Sequence, residues 1–165
     1  MANSFKSLVQ SYPDAEYWVM HTGQTLKLPD CEIRVIYTPE DAASTEFAWG
    51  NHTCTAVRIT MNDTTFTVLG DAERSLCQQM ADAYGSSLKS DILSLSHHGF
   101  NGACLDLYKC VNPDVCFWPV DGYRFMTDPR CLGTERGYDF NAWLRNDAIK
   151  VREHYAADET KTIYC

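Results

Sequence analysis

At 165 residues, with 45% hydrophobic and 12% aromatic residues, the chain can bury one ordinary core and lacks a disordered composition. Its net charge of -8 counts against a broad nucleic-acid surface, because neutralising phosphates needs clustered Lys and Arg, and no run of even three occurs. No apolar run approaches the ~18 residues needed to cross a bilayer, and "MANSFKSLVQSYPDAEYW" lacks a basic-then-apolar signal pattern. A cytoplasmic location without membrane contact is therefore the expectation.

In chain order, "TGQTLKLPD" reads as a strand entering a turn at Pro29-Asp30, and the alternation in "CEIRVIY" predicts a strand over 31–37 with Ile33, Val35 and Tyr37 on one side. "TPEDAASTEFAWGNHT" is a loop carrying Phe47 and Trp49. "TAVRITM", "ND" and "TTFTVLG" form a hairpin. Asp71 then opens a helical pattern with Ala72, Leu76, Met80 and Ala83 on one face and Gly85 as the stop. "DILSLS" is a strand, "ACLDLYKCV" a helix halted before Asn112-Pro113, and "DVCFWPV" another strand. "DFNAWLRN" reads as a short helix with Asp139 as its N-cap, and the tail as a hairpin around Ala157-Asp158. With no repeat or linker, residues 1–165 read as one α/β domain, helices packed on a mixed sheet.

Eight cysteines raise the possibility of a disulfide-stapled secreted domain, but no Cys-x-x-Cys pair occurs. Cys77, Cys104 and Cys110 fall on apolar positions of helices and Cys116 lies in a strand, so reduced thiols in an intracellular core are the expectation.

The chemistry is expected at strand ends. In "TVLGDAE", Gly70-Asp71 closes a strand and delivers a carboxylate at its C-terminal edge, where ligands gather in layered α/β proteins; the competing role for Asp71 is a helix N-cap. "DILSLSHHGF" ends a strand in His97-His98-Gly99. Neutral imidazole is a common metal ligand, although adjacent residues point apart unless the strand has ended, so one ring could coordinate while the other contacts substrate. Taken alone, the pair reads first as loop histidines satisfied by hydrogen bonds. His52 precedes the first hairpin strand and could emerge at the same edge; His21 and His154 read as structural or surface residues. Asp71, His97, His98 and His52 are thus candidate ligands for a Zn-, Mn- or Fe-type ion, and three such ligands with one open position would activate water.

The order Gly-Asp-helix, strand-His-His-Gly, helix, "VNPDV" and strand resembles the C-terminal half of a metallo-β-lactamase-fold hydrolase, nearest to the hydrolase domain of ComEC competence proteins and their phosphorylcholine-esterase-like relatives. The resemblance covers Cys31 to Cys165, and "LGDAE…DILSLSHHG" is its most specific part. It implies a partial αββα sandwich, two divalent zinc-type metals, Asp71 as their bridging carboxylate and one of His97 and His98 as the last ligand. His98 could otherwise polarise a substrate oxygen, and the substrate would be a phosphodiester or related ester. His52 falls where many members place a ligand in Gly-His-Thr. The family signature His-x-His-x-Asp-His is absent, which implies that residues 1–165 are the C-terminal portion of a longer hydrolase, with an incomplete site and little activity alone. The N-terminal half of the same protein would be its partner, and the uncovered sheet face could drive homo-oligomers. The alternative is a non-catalytic binding or assembly module on a degenerate scaffold of this type.

Overall fold

The computed structural model describes residues 2–39, 53–100, 102–148 and 151–158. Seven strands form one mixed sheet in sequential order: β1 (Thr25–Lys27), β2 (Cys31–Tyr37), β3 (Ala56–Met61), β4 (Thr64–Val68), β5 (Ile92–Ser94), β6 (Val115–Trp118) and β7 (Glu153–Ala156). The first four are antiparallel, and β4 to β7 run parallel. The fold class is α/β, a mixed sheet with flanking helices, as the residue pattern implies.

The antiparallel half follows from local chemistry. Asn62, at φ 50°, provides the left-handed residue that the tight β3–β4 turn requires. β2 shifts register between Val35 and Tyr37, so Tyr37 pairs with the buried Ala56 and packs against the core beside Ile36; a strictly alternating strand would have kept it on the side of Ile33 and Val35.

The parallel half needs crossovers. Helix α1 (Ala2–Gln10) precedes the sheet; β4 leads through α2 (Arg74–Tyr84) to β5, and β5 through α3 (Leu105–Val111) to β6. β6 reaches β7 through α4 (Gly122–Thr127), α5 (Pro129–Leu132) and α6 (Asp139–Ala142), the last continued by a π turn over Trp143–Asp147. Parallel crossovers are right-handed, so three that step across the sheet in one direction put all their helices on one face. Core membership agrees: Leu93, Leu95, Cys116, Trp118 and Ala156 join the buried cluster with Leu76, Met80, Leu107, Tyr108, Phe140 and Leu144 of the crossover segments.

The other face is apolar as well. Register aligns Ile33, Ile59, Phe66, Ile92 and Val115 in one row across five strands, and Val35, Val57, Val68, Ser94, Phe117 and Tyr155 in the next. None of these side chains belongs to the core cluster, and most are only half-buried. A second apolar face is what a sheet meant to be covered on both sides requires.

Four sequence expectations change. α2 begins at Arg74, three residues after Asp71, because Gly70 (φ 58°) turns the chain and Asp71–Glu73 stay extended or bent before the helix takes hold. Its buried face is Leu76, Cys77, Met80 and Ala81, and Ala83 is exposed. Asp139 is the first helical residue of α6 and Tyr138 occupies the cap position. α4 and α5 are additional helices, each capped by an aspartate: Asp121 accepts from the Arg124 N–H, and Asp128, followed by Pro129, accepts from the Arg130 N–H. Of the expected closing hairpin, the first strand is β7; the stretch expected to form the second, with Cys165, lies outside the described residues, as do Phe47 and Trp49. The seven described cysteines are free thiols. Among the described residues no helix is long and apolar enough to cross a membrane.

Asp91 anchors the entry to β5. Its Oδ2 accepts from both the Thr65 N–H and the Thr65 hydroxyl at 2.7 Å. Burial pushes its carboxyl upward, but the Thr65 hydrogen bonds outweigh that and hold it below its ordinary 3.8. A carboxylate lowered on folding adds stability above the unfolded value and loses it as pH falls through the folded one. Asp91→Asn should therefore cost about 1 kcal/mol in chemical denaturation at pH 7. The gap to wild type should close below pH 3.8, and a gap that widens there would contradict this assignment.

Candidate functional site

The C-terminal ends of the parallel strands β4, β5 and β6 lie side by side and deliver Gly70-Asp71, Ser96–Gly99 and Pro119–Asp121 to one edge. Hydrogen bonds stitch the first two together: the His97 N–H donates to the Gly70 carbonyl at 2.9 Å, and the Ser96 hydroxyl donates to the Ala72 carbonyl. Asp71 is therefore placed by the turn after β4. The residue at the N-cap position of α2 is Glu73, whose side chain makes no capping hydrogen bond, so the helix-cap role expected as an alternative for Asp71 does not hold.

After β5 the chain makes an uncommon turn. His97 (φ 47°), His98 (φ 59°) and Gly99 (φ 78°) are all left-handed. For an L residue with a Cβ this costs about 1–2 kcal/mol each, so two histidines here need surroundings that hold them. Gly99 is required on two counts, its positive φ and the Trp118 ring, whose Cε3 would lie 2.5 Å from an added Cβ. The turn is closed by the Phe100 N–H donating to the His97 carbonyl at 2.8 Å.

The turn separates the two imidazoles. Their centroids are 6.2 Å apart and their planes 65° from each other. His98 Nδ1 is 2.7 Å from the Pro119 carbonyl, and a carbonyl only accepts, so Nδ1 carries the proton. In the neutral ring that leaves the Nε2 lone pair facing Asp71 Oδ1 at 3.5 Å. Both side chains are about half exposed, so a water, a proton on Nε2 or a metal can bridge the two acceptors. Zinc holds N and O ligands about 2.0 Å away, so two ligand atoms on one tetrahedral ion are separated by about 3.3 Å, and the observed spacing fits. The Pro119 carbonyl is also the type of outer partner that fixes the tautomer of a ligating histidine.

The pair fits part of a metal centre. Among the described residues no third His, Cys, Asp or Glu joins Asp71 and His98 in a cluster able to hold an ion. His97 is half-buried and does not extend the pair into such a cluster, and His52 lies outside the described residues. Cys54 lies near Asp71, but burial, and then the charge of Asp71, push its thiol above the ordinary range and disfavour the thiolate. His21 is exposed. His154 is structural: Trp118 Nε1 donates to its Nδ1 at 3.0 Å, and burial, then Arg145, lower its imidazole to about 4.

Beside His98 opens a cleft of about 270 Å³ lined by His98, Phe100, Pro119, Val120, Asp121 and Arg124. Arg124 is its cation, with Nε 3.6 Å from Asp121 Oδ2, and both side chains face solvent. Phe100 carries the Arg130 guanidinium 4.1 Å from its ring centre. Sequence reasoning missed Pro119 and Arg124. The Asp121 cap marked the helix that carries Arg124; a backbone carbonyl orienting an imidazole leaves no trace in sequence.

No protein-family model and no curated protein sequence matches the chain. Among solved structures it is similar to a mutant of CmlA beta-hydroxylase, at 10% identity and a TM-score of 0.48, over 81% of this chain and 31% of that one. The chain thus spans about a third of that protein's length, and a likeness at this identity concerns chain path, not chemistry.

The left-handed turn makes its own prediction. His98→Ala and His98→Gly both remove the ring, but only glycine relieves φ 59°. Denaturant unfolding should show His98→Gly more stable than His98→Ala by about 1 kcal/mol. Equal stability, or the reverse order, would mean that the turn is not left-handed in solution.

Proposed function

We propose that this chain is the C-terminal, ligand-bearing part of a metal-dependent hydrolase of the metallo-β-lactamase type, acting on a phosphodiester or related ester. The observation that carries this reading is the Asp71–His98 pair, two acceptors 3.5 Å apart at the C-terminal edge of parallel strands. Asp71 and His98 would hold a divalent zinc-type ion, with His52 and His97 as further candidates. Such an ion would supply Lewis acidity towards a substrate oxygen. The chain's own residues would orient and screen: Pro119 fixes the His98 ring, and the adjoining cleft offers Arg124 to an anionic group and Phe100 as an apolar wall. Because two donors do not complete a site, the remaining ligands would come from an N-terminal half of the same protein, and residues 1–165 alone would have little or no activity.

The two apolar rows across the sheet support that partner. A second sheet laid on Ile33, Ile59, Phe66 and Ile92 would bury them and complete a sandwich. The competing reading is a binding or assembly module on the same scaffold. It is favoured by the absence, among the described residues, of a third ligand beside the pair.

Zinc titration calorimetry on the purified chain separates the two readings. Weak binding should be lost or reduced at least about 10-fold in Asp71→Asn and in His98→Ala. Identical binding by all three proteins would leave the module reading standing. Sedimentation velocity tests the partner. Without its second sheet the chain should self-associate, and Ile59→Glu with Phe66→Glu should render it monomeric while it still unfolds cooperatively. A wild-type chain that stays monomeric at high concentration would remove the case for a covering sheet.

A further inference from the structure

Asn141 is an amide buried to 0% exposure on α6, and its hydrogen bonds join the histidine turn to α5 and to Tyr108 of α3. Nδ2 donates to the Gly99 carbonyl at 2.7 Å and to the Arg130 carbonyl at 2.9 Å, so both amide hydrogens are spent on backbone oxygens. Oδ1 faces the hydroxyl of Tyr108, itself fully buried, at 3.5 Å. The orientation is dictated, because the flipped amide would set an oxygen against two carbonyl oxygens. No other side chain of this size supplies the same pattern. Aspartate would place a carboxylate against two acceptors, and leucine would leave both carbonyls without a donor in the core.

The Gly99 carbonyl belongs to the residue after His98, inside the left-handed run. Fixing it sets the direction in which the chain leaves that run, while the Trp118 ring blocks the Gly99 Cα from the other side. His98 is then the hinge between a locked Gly99 and its own Nδ1–Pro119 hydrogen bond. We propose that Asn141 is a positioning residue for His98, holding the turn in the geometry that keeps the proton on Nδ1 and presents Nε2 to Asp71. It acts across 42 residues of sequence and tethers the turn after β5 to the helical segment before β7.

The inference rests on the metal reading for its consequence in binding, but not for the tautomer of His98, and the test keeps the two apart. In metal-free protein labelled with ¹⁵N-histidine, at a pH where the ring is neutral, imidazole nitrogen shifts report which nitrogen carries the proton. Wild type should show His98 as the Nδ1–H form, and Asn141→Ala should move it towards the Nε2–H form that an unconstrained ring prefers. Leu144→Ala is the control, since Leu144 is equally buried in the next turn and its truncation destabilises the same segment. It should leave the tautomer unchanged. Zinc affinity should follow the tautomer, falling about 10–100-fold in Asn141→Ala, the range for loss of an outer partner, and holding in Leu144→Ala.

An unchanged tautomer in Asn141→Ala, or an equal change in both variants, would overturn the positioning role. Wild type that binds no zinc would sink the hydrolase reading while the tautomer still decides this one. Should Asn141→Ala not fold, hydrogen exchange in the wild type decides. The Asn141 side-chain amide and the Phe100 amide should exchange at one shared slow rate as the turn opens as a unit, whereas a fast-exchanging Asn141 amide beside a protected Phe100 would refute the proposal.

Discussion

The hydrogen bond from His98 Nδ1 to the Pro119 carbonyl is the interaction on which the site depends. It joins the end of β5 to the end of β6, decides which nitrogen faces Asp71, and forms where the backbone is left-handed at two successive histidines. Left-handed backbone at residues other than glycine is costly, and the two histidines here are retained by a ring of constraints. Gly70 receives the His97 amide, Trp118 occupies the space that a Gly99 side chain would need, and Asn141 holds the Gly99 carbonyl. Strain held by over-determined surroundings is a recurring mark of functional positions, and here it coincides with the strand ends that carry the polar groups.

The sheet explains why the site sits where it does. Sequential parallel strands with right-handed crossovers concentrate the helices on one face and leave the loops after each strand to meet at a single edge. The same topology leaves two apolar rows on the opposite face, from Ile33 to Val115 and from Val35 to Tyr155. The edge lacks further ligands among the described residues, and that face lacks a place in the core. One partner carrying a second sheet would answer both, which ties the chemistry of the edge to the packing of the face.

Much of this was legible in the residues. Alternation marks β2, β3 and β4, Asn62-Asp63 marks the turn between the last two, and local pattern puts Gly70-Asp71 and His97-His98 at strand ends. What could not be read was anything fixed by tertiary contact. The bulge that turns Tyr37 to the core side depends on pairing with β3. The late start of α2 depends on Gly70 turning the chain before Asp71, and it frees that carboxylate from capping. That His98 rather than His97 turns towards Asp71 depends on the Pro119 carbonyl just after β6, and Asn141 reads as an ordinary residue of "DFNAW" because its partners lie far away in sequence. α4 and α5 did carry readable signals in Asp121 and Asp128-Pro129.

The central claim is that Asp71 and His98 form one edge of a divalent-metal site. A chain of net charge -8 attracts cations over much of its surface, so location is the decisive quantity. Paramagnetic broadening of ¹⁵N-amide resonances by substoichiometric Mn²⁺ reads location directly. The account predicts broadening centred on Gly70-Asp71, His97–Gly99 and Val120-Asp121. Broadening spread over the acidic surface, or centred away from that edge, would contradict it.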